Sequence, residues 1–574
     1  MSPKPRSNQP DPLLVDVEGH VESLLGNEAI VRGALESGVA FASGYPGTPS
    51  SEVTDSFARI AAQSGIHFEY SVNEKVALEM AFAASLAGSR SICAMKHLGL
   101  MSAGDPLSTI PYVGTVGGMV VVSAGDPSCL TSPNEQDQRH LSRMLQLPMF
   151  DPCTPRDAYD MTRFAFELSE ACCLPVIMRI TTRICHSRGL ITYGRLLAPR
   201  TGSFKRDPQR FVPIPTNARR LRIELKERIN TASELIDKSD FFRIEGQGKI
   251  VVLASGAPAA TCADIIRESN LSSRVLLMTS QIIYPLPVTK LMAELRRAEQ
   301  VLVVEELSPF LEDTVRALCQ QFQINCEIYG KRTAHFPEEF EYEPEVIKRG
   351  LGKFLGVDLL PEQISADYPV PPRPPILCPG CPHRSTYFAA RMAFGDEYLY
   401  FNDIGCYTLG YGPPLNTADA LLCMGAAFTL AAGVSRVTGK RTVGFMGDST
   451  FFHSGMPALL NALKENANMV AVILDNQVTA MTGFQESPSV QIVEGKPRRD
   501  VSIEAMIRGL GAPDVVTINP HDLPIAIAAF ERARDSESVS VIIAEEPCPV
   551  YLARETGQDQ GSVTYTIDHS ICQT

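Results

Sequence analysis

The sequence predicts an α/β protein of three successive parallel-sheet α/β domains. Three observations carry this. Short, wholly apolar runs such as "GGMVVVSAG", "KIVVLASG" and "ANMVAVILD" recur along the chain and read as strands buried on both faces. Helical periodicity separates them, as in "SGMPALLNALKENAN", where Leu459, Leu460 and Leu463 are expected on one face. Two breaks in composition divide the series: a charged, helix-prone connector, "NARRLRIELKERINTASELIDKSDFFRIEG", and a Pro-rich linker, "LPEQISADYPVPPRPPILCPGCPHR".

In chain order, residues 1–19 are an extension with no apolar stretch of signal-peptide type. The first domain, 20–248 including the connector, alternates strands such as "HFEYS", "RSICAM" and "LPVIMRIT" with helical runs. The second, 249–356, opens on a strand, glycine turn and helix, "GKIVVLASGAPAATCADIIRES". A linker, 357–376, leads into the third domain, 377–552, and a tail, 553–574, follows.

With 574 residues, 44% of them hydrophobic, each domain can bury its own core. A net charge of −13 excludes a basic nucleic-acid surface. The most apolar stretch, "ALLCMGAAFTLAAGVS", is too short for a membrane span and reads as a buried helix. Fifteen scattered cysteines fit a reducing cytoplasm.

The chemistry concentrates in the third domain. "RTVGFMGDSTFFHSG" runs from an apolar strand into Gly447-Asp448-Ser449, and "ANMVAVILDNQ" ends its own run on Asp475-Asn476. Strand, helix and strand thus place polar oxygens at the carboxyl ends of two strands, where open parallel sheets bind ligands. Gly447 lets the backbone approach a phosphate, and the N–H groups after Ser449 can hold an anion. Asp448 and Asn476 offer hard oxygens suited to Mg²⁺ bridging to a diphosphate. Gly-Asp-Ser alone reads better as a helix cap. The pair, with 27 residues between Asp448 and Asn476, resembles the diphosphate and Mg²⁺ motif of thiamine diphosphate enzymes.

Such chemistry needs a second feature, a carboxylic acid held in an apolar cleft against the cofactor's aminopyrimidine. In "SVNEKVALEMAFAASLAGSR", Glu74 falls where a strand gives way to an Ala-rich helix. By position alone it complements the helix dipole. Paired with a separate diphosphate domain, it becomes the candidate activating acid.

The ordered motifs "SGYPGTPSSEV", "SVNEKVALE", "MKHLGL", "NEQDQRH", "TTRICHSRG", "YPLP", "VVEELSPFLE", "LCPGCPHR", "DIGCYTLG", "LCMGA", "GDSTFFHSG" and "LDNQVTAMTG" resemble the alpha subunits of indolepyruvate:ferredoxin oxidoreductases, in the 2-oxoacid:ferredoxin oxidoreductase superfamily. The resemblance implies pyrimidine-binding, transketolase-C-like and diphosphate-binding domains. It implies oxidative decarboxylation of a 2-oxoacid to an acyl-coenzyme A, with electrons passed singly through iron–sulfur centres to ferredoxin or another acceptor. It also implies a smaller partner subunit and a hetero-oligomer built on an alpha dimer.

By the same resemblance, Asp448 and Asn476 bind Mg²⁺ through side chains and Val478 through its carbonyl, while Gly447 and Ser449 line the diphosphate. Cys406 and Met424 lie against the thiazolium or support the cofactor's bent shape, with plain core filling the alternative for Met424. Cys381 and His383 stand near the thiamine without a metal. Thr48 is the candidate for hydrogen-bonding the 2-oxoacid. Pyruvate-oxidising relatives use an arginine in the region of "SAGDPS", where this chain has Gly125-Asp126-Pro127. Carboxylate capture then falls to Lys96 or His97, a structural histidine being the alternative for His97, and the departure favours a bulkier arylpyruvate.

Only Cys378 and Cys381 have Cys-x-x-Cys spacing, so a four-cysteine site with Cys406 and Cys423 is disfavoured. The tail "IDHSICQT" resembles the lead-in to a cluster loop of a ferredoxin-like module, with Cys572 in the first ligand position. Clusters of 4Fe–4S type are therefore expected only in a partner or in a further C-terminal module. The rival reading is a non-redox thiamine diphosphate decarboxylase or carboligase; a non-catalytic scaffold fits poorly with Glu74, Asp448 and Asn476 all present.

Overall fold

The computed structural model describes residues 11–360, 371, 373–489 and 501–556, which leaves Cys572 outside the described residues. The chain divides into two compact units, Met1–Ala366 and Asp367–Thr574.

In the first unit, β1 (Val21–Leu25) and β8 (Arg188–Thr192) form an antiparallel ribbon. The large sheet contains β2 (Phe41–Gly44), β3 (His67–Tyr70), β4 (Ser91–Lys96), β5 (Met119–Gly125), β6 (Met149–Phe150), β7 (Val176–Thr181) and β12 (Ile282–Tyr284). Its order is β12-β6-β7-β5-β4-β2-β3, parallel except at β12. The central strands β5 and β7 are buried along their whole length, which is why their sequences are apolar runs without alternation.

A second sheet in this unit contains β9 (Phe242–Gly246), β10 (Ile250–Ser255), β11 (Val275–Ser280), β13 (Gln300–Val304) and β14 (Glu327–Tyr329), in the order β14-β13-β10-β11-β9. The charged connector forms the helix Pro215–Lys238, with Leu221, Leu225, Ile229, Ala232 and Ile236 on its buried stripe. Its final residues, expected as part of the connector, instead become β9, an antiparallel edge strand of the second sheet. The two sheets are also joined by β12 and by charge. Buried Arg139 pairs with Asp137 and Glu305, and Glu305 in turn accepts from the N–H groups of Leu311 and Glu312.

The second unit holds one wholly parallel sheet of β15 (Leu399–Phe401), β16 (Thr442–Gly447), β17 (Met469–Asp475), β18 (Asp514–Ile518) and β19 (Ser540–Glu545), in the order β15-β16-β17-β19-β18. The apolar stretch 420–435 is helical only from Ala427, in the helix Ala427–Thr438; its first part is a loop carrying Met424. In the helix Met456–Lys464, Leu459 is buried and Leu463 packs on the core edge, but Leu460 is 49% exposed. Consecutive helical residues point about 100° apart, so Leu459 and Leu460 cannot share one narrow stripe. Among the described residues no helix is long and apolar enough to cross a membrane.

Candidate active site

In the second unit, β15, β16 and β17 all end on polar residues at one sheet edge: Asn402-Asp403, Asp448 and Asp475-Asn476. Asp448, 2% exposed, follows β16 directly, opens a helical turn and accepts from Ser487 Oγ at 3.1 Å. Burial and the neighbouring Asp475 carboxylate push its carboxyl well up from the usual range. Asp475 is likewise raised, to about 6, by burial and then by Glu545. Burial and mutual repulsion thus both work against negative charge on this pair.

The side-chain oxygen of Asn476 lies 2.9 Å from the Val478 carbonyl oxygen and 3.2 Å from Asp448 Oδ1, facing acceptors only. Turning the amide would make two ordinary hydrogen bonds. A small divalent cation satisfies the same three oxygens without turning it. Octahedral Mg²⁺ binds oxygen at about 2.1 Å, which sets neighbouring ligands about 3 Å apart. The spacing and the excess negative charge fit Mg²⁺.

A Cβ on Gly447 would stand 2.5 Å from Tyr407 Cε1, so the space beside this glycine belongs to an aromatic ring. The Tyr407 hydroxyl meets Thr450 Oγ1 at 2.6 Å and donates to the Ile404 carbonyl at 2.7 Å, closing β15's loop onto β16's. Ser449 Oγ is 2.7 Å from Thr479 Oγ1. Residues Phe451–Gly455 then form a π-helical turn, a distortion that often marks functional sites.

Asp403 was not anticipated. Its buried carboxylate accepts from the N–H groups of Ile404, Gly425 and Ala427, which holds the Met424 loop in place. Burial raises it to about 6 against those three hydrogen bonds. Met424 is half-buried in that loop and is not core filler. Its carbonyl accepts from Ser454 Oγ at 3.0 Å. His383, buried at the start of the helix Pro382–Phe394, is pushed down to about 4 by burial and is neutral at pH 7; its ring meets Tyr407 edge-on at 5.9 Å.

The cysteines do not group as the disfavoured four-cysteine site would have them. The thiols of Cys378, Cys381, Cys406 and Cys548 feel one another's charge, each raised first by burial where a shift is resolved. Cys423 instead feels the charge of Asp403. The Cys548 N–H donates to the Asn476 carbonyl, which sets this loop beside the oxygen cradle. Among the described residues no three His, Cys, Asp or Glu side chains converge on a single metal-ion position.

In the first unit, the carboxyl edge of the large sheet gathers another set. Thr48 follows β2, Lys96 ends β4, His97 starts the next helix and Asp126 follows β5. A Cβ on Gly47 would lie 2.9 Å from Lys96 Cβ, so the "GYPGTP" and "MKHLG" segments touch. Lys96 Nζ donates to the Thr131 carbonyl at 2.8 Å, and Thr131 Oγ1 reaches the Thr48 carbonyl at 3.5 Å. Burial pulls the Lys96 ammonium down to about 8, although Asp126 and Glu135 oppose the shift. Asp126 is engaged within its own loop, accepting from Leu130, Thr131 and Ser132.

His97 is fully buried. Its Nδ1 faces the Ala124 carbonyl at 3.3 Å and its Nε2 the Asn134 carbonyl at 3.1 Å. Burial keeps the imidazole neutral, so one of these nitrogens donates to its carbonyl, and the ring as a whole is enclosed by backbone. Glu74, 7% exposed, opens the helix Glu74–Leu86 behind an Asn73 cap. Its carboxyl packs on Gly99: a Cβ there would lie 2.6 Å from Oε1 and 2.7 Å from Cδ.

Residues 32–199 match the family model of the pyruvate flavodoxin/ferredoxin oxidoreductase thiamine diphosphate-binding domain, and residues 403–544 that of the thiamine pyrophosphate enzyme C-terminal TPP-binding domain. Indolepyruvate oxidoreductase subunit IorA of Methanothermobacter thermautotrophicus is 41% identical over 92% of this chain and 87% of its own length. The chain belongs to the IorA family. The IorA subunits of Pyrococcus abyssi and Archaeoglobus fulgidus are 40% and 37% identical, covering 94% and 97% of this chain and 88% and 91% of their own. A solved 2-oxoglutarate:ferredoxin oxidoreductase from Magnetococcus marinus aligns at 18% identity and TM-score 0.47 over 58% of this chain and 65% of that one. An IorA-family chain with both thiamine-binding domains is an oxidoreductase subunit that binds thiamine diphosphate, which sets the non-redox and scaffold readings aside.

Proposed function

We propose that this chain is the catalytic subunit of a ferredoxin oxidoreductase that oxidatively decarboxylates indolepyruvate or a similar arylpyruvate to acyl-coenzyme A and CO₂. The convergence of the Asp448, Asn476 and Val478 oxygens is the observation that carries the site, and the IorA relatives point to the substrate class. When bound, thiamine diphosphate supplies the nucleophilic carbon and electron sink that decarboxylation requires. Asp448, Asn476 and Val478 would hold Mg²⁺ through their oxygens, and Gly447 and Ser449 would line the diphosphate. Asp403 and Met424 shape the adjoining loop, and neutral His383 and Cys406 complete the wall.

Glu74 holds a proton at the aminopyrimidine nitrogen. Thr48 donates to the 2-oxoacid, and Lys96 is proposed for its carboxylate in preference to His97, whose neutral ring is fully buried against backbone. In this reading residues 20–248, 249–356 and 377–552 act as pyrimidine-binding, transketolase-C-like and diphosphate-binding domains. A smaller partner subunit, ferredoxin and coenzyme A complete the cytoplasmic enzyme, a hetero-oligomer on an alpha dimer, with 4Fe–4S clusters in the partner or in a C-terminal module.

Iron and acid-labile sulfide in the isolated chain test the placement of the clusters: none supports clusters held elsewhere, whereas a stoichiometric cluster would assign one to this chain's own cysteines. The function itself is tested with the partner subunit present, by coenzyme A-dependent reduction of a one-electron dye. Indolepyruvate should give a higher kcat/KM than pyruvate or 2-oxoglutarate; a preference for either of those overturns the substrate assignment.

A further inference from the structure

Away from these motifs, two sulfurs meet at the edge of the five-stranded sheet. Cys319 lies in the last turn of the helix Phe310–Gln321, Cys326 immediately precedes β14, and their Sγ atoms are 3.7 Å apart. The turn between them is well fixed. Gln323 takes a left-handed conformation, φ 54°, and the Ile324 N–H returns to the Cys319 carbonyl at 2.9 Å. One turn earlier, Arg316 Nη2 donates to the Ile328 carbonyl at 2.6 Å and so ties the same helix to β14.

We propose that Cys319 and Cys326 are a thiol-oxidation site that closes to a reversible intramolecular disulfide on meeting a low-molecular-weight disulfide such as oxidised glutathione. A disulfide needs about 2.05 Å between sulfurs, a gap that side-chain rotation can close from this starting contact. The roles divide by environment. Cys319 is buried in the last turn of its helix, whereas Cys326 is partly exposed, so a dissolved oxidant reaches Cys326 first. Cys326 is therefore the attacking thiolate and Cys319 the resolving thiol.

The exchange balances in two steps. Cys326 Sγ⁻ attacks one sulfur of the oxidant, the oxidant's S–S bond breaks, and one small thiolate leaves and takes up a proton. Cys319 then loses its proton, attacks Cys326 Sγ in the mixed disulfide and expels the second small thiolate. Two protein thiols lose two electrons and two protons in total, and one small disulfide becomes two thiols. The product staples the helix end to the three-residue edge strand β14.

The test uses the full chain, reduced, then exposed to graded ratios of oxidised to reduced glutathione, alkylated and mapped by peptide mass. The expected product joins Cys319 to Cys326, is two hydrogens lighter than the dithiol and reverts with dithiothreitol. Cys319→Ser should trap glutathione on Cys326, and Cys326→Ser should leave Cys319 unmodified at the same exposure. In the reduced chain Cys326 should alkylate roughly tenfold faster than Cys319 at pH 7. Both thiols remaining alkylatable in excess oxidised glutathione, or glutathione collecting on Cys319 in Cys326→Ser, would overturn the proposal. Should a serine variant misfold, the wild-type map decides alone.

Discussion

Two sheet edges in this molecule occupy the same topological position and carry opposite chemistry. At the edge of β15, β16 and β17, Asp403, Asp448, Asp475 and Asn476 present oxygens, and the two neighbouring aspartates are raised first by burial and, for Asp448, then by the Asp475 charge. At the edge of β2, β4 and β5, the groups are mixed: a lysine losing its proton readily, a threonine, and a buried glutamate behind them. The first arrangement favours a cation and what the cation carries. The second favours an organic acid and a shared proton. A parallel sheet supplies the place, and the residues after each strand decide what is held there.

The comparison breaks most visibly at Asp448. Asp448→Ala should lose both Mg²⁺ and thiamine diphosphate, with turnover down at least about a thousandfold, because metal ligand and counter-charge go together. Cofactor retained at wild-type occupancy in a thiochrome assay would mean that this edge is not the diphosphate site. Glu74→Gln keeps shape but cannot give or share the carboxyl proton. Cofactor binding should persist while kcat falls by about 10²–10⁴. Wild-type kcat would return Glu74 to a helix-dipole role.

Gly99→Ala sharpens the same point without touching the acid. The added methyl must displace the Glu74 carboxyl, and a misplacement near 1 Å costs about a hundredfold in rate. Equal kcat in Gly99→Ala and wild type would show that the carboxyl's position is not set here. For Lys96, the ammonium is charged below about pH 8 and neutral above, so substrate affinity should weaken as pH rises through about 8. Lys96→Met should raise KM about tenfold at pH 7 and flatten that dependence; an unchanged KM profile would remove Lys96 from carboxylate binding.

The smallest effect concerns His186, which pairs with Glu52 in the helix after Thr48, 3.5 Å away. Its pKa is raised above 6.5 by the Glu52 hydrogen bond, so its contribution is complete below pH 6.5 and fades as pH rises through the raised value. The pair is more than a third exposed, so screening limits it to about 0.5 kcal/mol. His186→Gln should lower the melting temperature slightly at pH 6 and not at pH 8.5, measured by scanning calorimetry.

The oxygens proposed as ligands at 448 and 476 were legible because two buried strands that each end on Asp or Asp-Asn one helix apart ask for more than a cap. Asp403 carried the same signal after "YLYF" and went unread, since that strand is only three residues long. The β12 strand is equally short and lies beyond the connector, so no periodicity announces that it pairs with β6. Cys548 entered the thiol group from 142 residues beyond Cys406, a proximity that Cys-x-x-Cys spacing cannot encode.

Local sequence by itself determined the long buried strands, the amphipathic helices and the polar ends of β16 and β17, because burial on both faces and helical periodicity act over a few residues. Only the tertiary structure decided which ends meet. Glycine is a case in point: the letters at 99 and 447 say only that a side chain is missing. Packing shows that a carboxyl fills the space beside Gly99 and a tyrosine ring the space beside Gly447, because those neighbours arrive from 25 and 40 residues away.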